Sequence, residues 1–522
     1  MQRLDDKIFQ NIKGKPVCIV GYQESYLEEL CDDYDILQQI VAAVDNPGRR
    51  QGVHSFRGKE IEVVEYGKVF LLPEESVFII ANDFPRESMK YLEAAYRALD
   101  IIPPERVYFF VGKEIAHEMD IRRDYEAVSL KNIILFWSGP YEEIPIPDAE
   151  FGDNARALFE YMLSIGLNNE YELVWLVSQP ERYANKYKDI KNVKFLPSHN
   201  ILSYDNETQM AYYEALCLAK YIFTTDGYGF ARNARPDQIR VQLWHGQGFK
   251  RRVNRTRCEH RYEYMTVSSE MYARLYADMF GLREDQMIIS GYPREDCLFH
   301  PIDDWKTRLN IPRASKYIFW LPTFRSVGVG KLAYLSEKRE TGDLPLIVSE
   351  KMLETLNRNL TEKDIVLIIK LHPLQRRDAV YEIEMSNIVL LENSDMKERD
   401  IDIYNILGHA DALISDYSSV AVDFTVLNRP IAFTLDDYRE YEEKRGLNWP
   451  NIHDWLPGKE LFSFDDLMEF IEEIAKNEDT TKEKRMEIAK RFHDFFDDKC
   501  SARLLSYLGI INSPKKNPND LL

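Results

Sequence analysis

The sequence lacks most of the features that would assign it to a class at once. Its six cysteines (Cys18, Cys31, Cys217, Cys258, Cys297, Cys500) are scattered, with no CxxC pair. That argues against zinc spacing and against a disulfide framework, and it fits a reducing compartment. No apolar run approaches the ~20 residues of a membrane-spanning helix. The opening MQRLDDKIFQNIKGK has no apolar signal-peptide core. Positive charge is in deficit: 67 Lys and Arg stand against 87 Asp and Glu, a formal net charge of -20. Such a chain is not a general nucleic-acid binder, and it does not adhere to anionic membrane by overall charge. Tandem repeats and long low-complexity segments are also missing. The expected location is cytoplasmic, at most peripheral on the inner face of the cell membrane.

What is present is a long α/β chain. With 522 residues, 45% of them hydrophobic, it has the material for about three domains. Short apolar strands alternate with helices throughout, the signature of parallel, doubly wound sheets. A first series runs from KPVCIVG (15–21) through IVAAVD and SVFIIAND to RVYFFVG (106–112). A strand-end Gly21 and a downstream Asp45 outline a dinucleotide site, but GYQESY is not GxGxxG. Tyr22 and Gln23 stand where a pyrophosphate would need bare backbone. A second series begins at NIILFWSG (132–139) and a third at KYIFWLPTFR (316–325). The third includes helices expected at 418–428 and 481–508. The expected divisions are 1–128, 129–305 and 306–510, with a frayed tail at 511–522.

Chemistry collects where strands end. IRVQLWHGQGFKRR (239–252) reads as a buried strand that delivers His245 beside Gly246 and Gly248, with Lys250, Arg251 and Arg252 behind. A histidine can take a proton from a hydroxyl near neutral pH. Lys and Arg suit phosphate. The bland alternative is a core histidine followed by a solvated basic loop. In KLHP (370–373), His372 sits at the tip of an apolar strand. In DYSS, Asp416, Ser418 and Ser419 occupy a strand-to-helix junction, where free backbone N–H groups and hydroxyls form an anion site. There the bland reading is a helix cap. No DxD-type carboxylate pair stands at a strand end, so no tightly bound metal is expected, although free Mg²⁺ would be compatible with a pyrophosphate substrate.

The order of the motifs is more specific than any one of them. WHG at 244–246, GYPRED at 291–296, LPTFR at 321–325, KLHP at 370–373 and SDYSSVAVDFTVLNRPIAF at 415–433 together resemble the CDP-glycerol glycerophosphotransferase family, the teichoic-acid glycerol-phosphate primases and polymerases. The resemblance covers roughly residues 130–500. It implies a GT-B fold, two Rossmann-like domains facing a cleft, here with an extra N-terminal Rossmann-like domain. It implies transfer of a polyol phosphate from CDP-glycerol or CDP-ribitol to a hydroxyl of a lipid-linked or polysaccharide acceptor, releasing CMP, in teichoic-acid or capsule assembly. By the family's motifs His245 looks like the catalytic base or a transition-state contact, and His372 like a ligand of the donor pyrophosphate. Ser418 and Ser419 look like phosphate contacts, with Asp416 holding their turn and Arg325 near the donor. Lys250, Arg251 and Arg252 are candidates for an anionic acceptor.

Two departures bear on substrate more than on reaction. The family usually follows WHG with TPLK, where this chain has QGFK. Its usual Arg before LHP is Lys370, which keeps the charge but loses bidentate geometry. The rival expectations are a GT-B glycosyltransferase using a nucleotide sugar, and a catalytically inactive GT-B-like module that binds polymer or nucleotide.

Overall fold

The computed structural model describes residues 2–45, 51–73, 75–82, 85–98, 106–111, 113–138, 150–225, 235–251, 262–323, 344–370 and 385–512. His372, Arg325 and Arg252 therefore lie outside the described residues, as do most of the loop at 326–347 and the tail from 513 onward.

Contacts divide the chain into two units: residues 1–129 with 200–213 and 232–235, and the remainder. The first unit holds a seven-stranded sheet in the spatial order Gln2–Arg3, Val107–Phe110, Val77–Ala81, Val17–Val20, Ile40–Asp45, Lys59–Glu65, Gly52–Phe56. Its strands are parallel except the last pair, an antiparallel hairpin. From the sequence no strand is expected between Asp45 and Val77. The hairpin turns at Arg57 and Gly58, both with positive φ (47° and 78°), the backbone a tight two-residue hairpin turn requires.

The second unit holds two parallel sheets. One runs Val193–Pro197, Glu172–Val177, Lys131–Trp137, Ala219–Thr224, Ile239–Gln242, Tyr264–Val267, Met287–Ile289. The other runs Ile388–Leu391, Ile365–Lys370, Lys316–Trp320, Ala412–Ser415, Ile431–Thr434, Lys459–Leu461. In both, the first strand in sequence lies in the interior and the chain winds outward first one way, then the other. The point of reversal in the third sheet lies between Lys316–Trp320 and Ala412–Ser415. Ligands in open α/β sheets bind outside strand carboxyl ends at such a point.

The apolar runs that predicted these strands are buried along their length, as in Ile318, Phe319 and Trp320 (0% exposed). That is the pattern of parallel strands covered on both faces. One continuous core joins the two sheets, from Trp244 and Phe249 through Tyr292 to Phe433 and Phe492.

The expected helix at 481–508 is instead two helices, Lys482–Phe492 and Cys500–Tyr507. Tertiary bonds take the backbone between them: the Asp494 N–H donates to the Ser268 carbonyl (3.0 Å), and Asp296 accepts the N–H groups of Cys500 and Ser501 (2.8 and 2.9 Å). The break lets the final helix return to the sheet of residues 131–289, where Leu504 and Leu505 enter its core. Among the described residues no helix is long and apolar enough to cross a membrane.

Candidate active site

The strand Ile239–Gln242 ends in a turn whose conformation is unusual. Trp244 has φ +57°, a left-handed backbone that a bulky side chain adopts at a cost of about 1–3 kcal/mol. Two amides hold it: the Trp244 N–H donates to Gln242 Oε1 (2.9 Å), and Asn154 Nδ2 donates to the Trp244 carbonyl (2.8 Å). The indole stacks on the His245 imidazole, with centroids 4.1 Å apart and planes at 29°. His245 is half-buried.

Gly246 follows with φ +99° and brings the turn against the other sheet's motif. A Cβ at Gly246 would collide with Arg294 Nη2 and lie 2.8 Å from Ser419 Oγ. At Gly248 it would lie 3.3 Å from the Ser419 backbone. The WHG turn and the DYSS turn, some 170 residues apart in sequence, are thus in contact.

The DYSS turn is built from the point of reversal in the third sheet. Asp416 is fully buried, and its carboxylate accepts from the Thr323 N–H (2.8 Å) and from the Thr323 hydroxyl. Ser415 Oγ donates to the Leu321 carbonyl (3.0 Å). Asp416 therefore ties the LPT strand end to the DYSS strand end, which fits a residue that shapes the turn; a buried carboxylate would repel a phosphate. Ser418 precedes the short helix Ser419–Phe424, and its side chain makes no capping bond. The Ser418 hydroxyl therefore does not serve as the cap that the bland reading gave it, and both serines are half-buried.

Behind the two turns lies a buried ionic group whose members the sequence reading left without roles. Arg294, 4% exposed, donates from Nη1 to Asp153 Oδ1 (2.9 Å) and from Nη2 to Asp423 Oδ2 (2.6 Å). Its guanidinium lies over the Tyr404 ring, 4.6 Å from the centroid, and the Tyr404 hydroxyl donates to Asp423 Oδ2 (2.5 Å). Burial alone disfavours the Arg294 cation, yet the adjacent Asp153 and Asp423 carboxylates hold its pKa well above the ordinary value. A signal was available for both residues. Arg294 sits in the first turn of Pro293–Phe299, where the helix dipole disfavours a cation. Asp423 interrupts an apolar helix face (VAVDF). Each needs a buried counter-charge.

The segment after WHG divides in two. Gln247 and Phe249 are fully buried; Phe249 packs against Phe433 and Phe492, with centroids at 5.8 and 6.0 Å. The departure QGF from the family's pattern is therefore a core feature. Asn448 fixes it, donating from Nδ2 to the Gly248 carbonyl and from its N–H to the Phe249 carbonyl (both 2.8 Å). Lys250 and Arg251 are exposed. Lys370 ends its strand half-buried; burial lowers its pKa, opposed by Asp402. Among the described residues no group of three or more His, Cys, Asp or Glu side chains is placed to hold a metal ion.

Residues 144–509 match the family model for CDP-glycerol:poly(glycerophosphate) glycerophosphotransferase. The chain belongs to this family. The teichoic acid ribitol-phosphate polymerase TarK of Staphylococcus aureus is 29% identical over 310 residues, 56% of each chain. The chain thus spans about half the length of that relative. The teichoic acid glycerol-phosphate transferase of the same organism is 26% identical over 400 residues, 72% of this chain and 92% of that one. Among solved structures, the wall teichoic acid polymerase TagF aligns over 76% of this chain and 94% of its own, with TM-score 0.55 and 21% identity. That likeness extends the shared α/β fold beyond the sequence motifs.

Proposed function

We propose that the protein is a transferase that moves a polyol phosphate from a CDP-activated donor onto an acceptor hydroxyl, releasing CMP. In this reading the second unit is a GT-B pair. Residues 129–305 form the acceptor-side domain and residues 306–510 the donor domain, with residues 1–128 as an additional Rossmann-like domain. The observation that carries it is the contact of the WHG turn with Ser419 at the reversal point of the third sheet.

The chemistry follows from charge. A diphosphate repels an incoming oxygen, so the protein must position the reactants and stabilise charge. Ser418 and Ser419 offer hydroxyls and the backbone N–H groups of a helix start to the diphosphate. His245 takes the proton of the attacking hydroxyl as the new P–O bond forms and the bond to CMP breaks; a base so placed contributes about 10² to 10⁴ in rate. Asp416 holds the serine turn through Thr323. His372 and Arg325 are assigned to the donor pyrophosphate by their motifs. Lys250, Arg251 and Arg252 come after the buried segment that follows His245 and are assigned to an anionic acceptor of the teichoic-acid or capsule type, presented on a lipid at the inner membrane face.

Relatives named for glycerol phosphate and for ribitol phosphate both match, so both donors belong in the test. Purified protein is offered CDP-glycerol and CDP-ribitol in parallel, with and without a lipid-linked acceptor mimic, and CMP is measured. Acceptor-dependent CMP from one of them is expected. CMP from neither, with UDP or GDP released from a sugar nucleotide under the same conditions, would overturn the reading.

A further inference from the structure

We propose that Arg294 is a positioning residue for His245: its guanidinium is the peg on which the WHG turn and the Ser419–Phe424 helix are hung in fixed register. The inference rests on the reaction proposed above and names a residue through which its base is held.

Three segments distant in sequence meet at this one residue. From 153–154 come Asp153, bonded to Nη1, and Asn154, whose Oδ1 accepts the Arg294 N–H (3.1 Å) while its Nδ2 holds the Trp244 carbonyl. From 423 comes the carboxylate bonded to Nη2, one helical turn beyond Ser419. From 246 comes the glycine whose missing Cβ leaves the room that Nη2 occupies. The turn is thus held from two sides. Asn154 fixes the carbonyl before His245, and the guanidinium fills the space at the residue after it.

The chemistry of the side chain matters. Asp153 and Asp423 approach different nitrogens of a planar fork, whose central carbon lies over the Tyr404 ring. An ammonium is a point charge without such a fork. Lysine would keep the buried charge and let the register slip. Arg294 does not itself touch the reacting atoms in this account. It is nearly fully buried, and two of its nitrogens are bonded to carboxylates, so its effect passes through His245 and Ser419.

The test uses the full chain and Arg294→Lys, with Asp423→Asn as a second variant that keeps the shape and the Tyr404 acceptor. Each is also made in a His245→Ala background. A register error near 1 Å costs on the order of 10²-fold in rate. Arg294→Lys is therefore expected to lower kcat for CMP release about 10- to 100-fold, with the donor KM within about threefold. In His245→Ala enzyme the same change is expected to cost several-fold less than in wild-type enzyme, because only the part that passes through Ser419 remains. The imidazole cross-peak of His245, assigned by its loss in His245→Ala, is expected to move in Arg294→Lys without any substrate present. Equal losses in both backgrounds, or an unmoved His245 cross-peak in folded Arg294→Lys or Asp423→Asn protein, would overturn the proposal. If wild-type protein released no CMP from either donor, the reaction reading would fail by itself, and the cross-peak would still decide whether Arg294 positions His245.

Discussion

Two strand-end glycines show how differently the same local signal can be used. Gly21 and Gly246 each follow a buried parallel strand, with φ of +86° and +99°. Each has a polar side chain where its Cβ would be. At Gly21 that side chain is Asn82, whose amide donates to the Val20 carbonyl (3.3 Å) and the Ser88 hydroxyl (2.9 Å). The glycine there allows a neutral, local packing contact. At Gly246 the neighbours are a guanidinium held by two carboxylates and a serine at a helix start from another sheet. A glycine after a strand marks only that something comes close; the charge and provenance of what comes close separate a packing site from a reactive one.

Removing the histidine is the sharpest test of that contrast. His245→Ala should lower acceptor-dependent CMP release about 10²- to 10⁴-fold while the melting temperature stays close to wild type, because the side chain is half-buried. Steady-state rates and a thermal melt on the same preparation check both halves.

Exchanging the glycines comes next. Gly246→Ala should cost on the order of 10²-fold in rate, since its methyl would push the turn away from Arg294 and Ser419. Gly21→Ala should destabilise the first unit by about 1–3 kcal/mol and leave CMP release per folded molecule unchanged. A Gly21→Ala enzyme slowed as much as Gly246→Ala would erase the distinction drawn here.

A smaller effect is expected at the phosphate contacts. Ser418→Ala and Ser419→Ala each remove one hydroxyl; a hydrogen bond to a charged group is worth about 1.5–3 kcal/mol. Each should raise the donor KM by roughly tenfold or more, and the KM against CDP-glycerol or CDP-ribitol reads it.

The smallest effect concerns the buried carboxyl beside Arg294. Burial first, and the Asp423 charge second, raise the Glu295 pKa well above 4.5, against the opposing Tyr292 N–H and Arg294. A group whose pKa is raised by folding stabilises fully below its unfolded pKa, and that contribution is lost as pH rises through the folded value. Glu295→Gln does not titrate. It also offers an amide toward His493 Nδ1, which lies 3.9 Å from Glu295 Oε1 while His493 Nε2 bonds the Val422 carbonyl (3.0 Å). Melting temperatures of the variant and wild type should differ least below pH 4.5, and the variant should gain as pH rises above it. A variant that lost ground with rising pH would reverse the assigned direction.

Much of this architecture was legible in the residues. Apolar runs bounded by polar strand ends located the parallel strands, because burial on both faces leaves no alternation to confuse them. The hairpin at 52–65 was not seen; its strands are half-exposed and polar, and the turn residues Arg57 and Gly58 are a weak signal alone. The continuous helix read at 481–508 failed because Ser268 and Asp296, distant in sequence, take the hydrogen bonds of its middle. At the site, WHG and DYSS were visible as motifs. Their contact was not, because nothing local to residues 244–248 specifies Ser419. Arg294 and Asp423 were quoted within motifs yet had no role until the fold showed that each is the other's counter-charge.

The WHG turn and the DYSS helix start are proposed to form one reaction centre. A crystal structure of His245→Ala protein soaked with its CDP-activated donor tests it most directly. The diphosphate is expected within about 3 Å of Ser418 and Ser419 hydroxyl or N–H groups, with the transferable phosphorus facing the vacated imidazole position. A donor bound with its diphosphate away from both turns would contradict it.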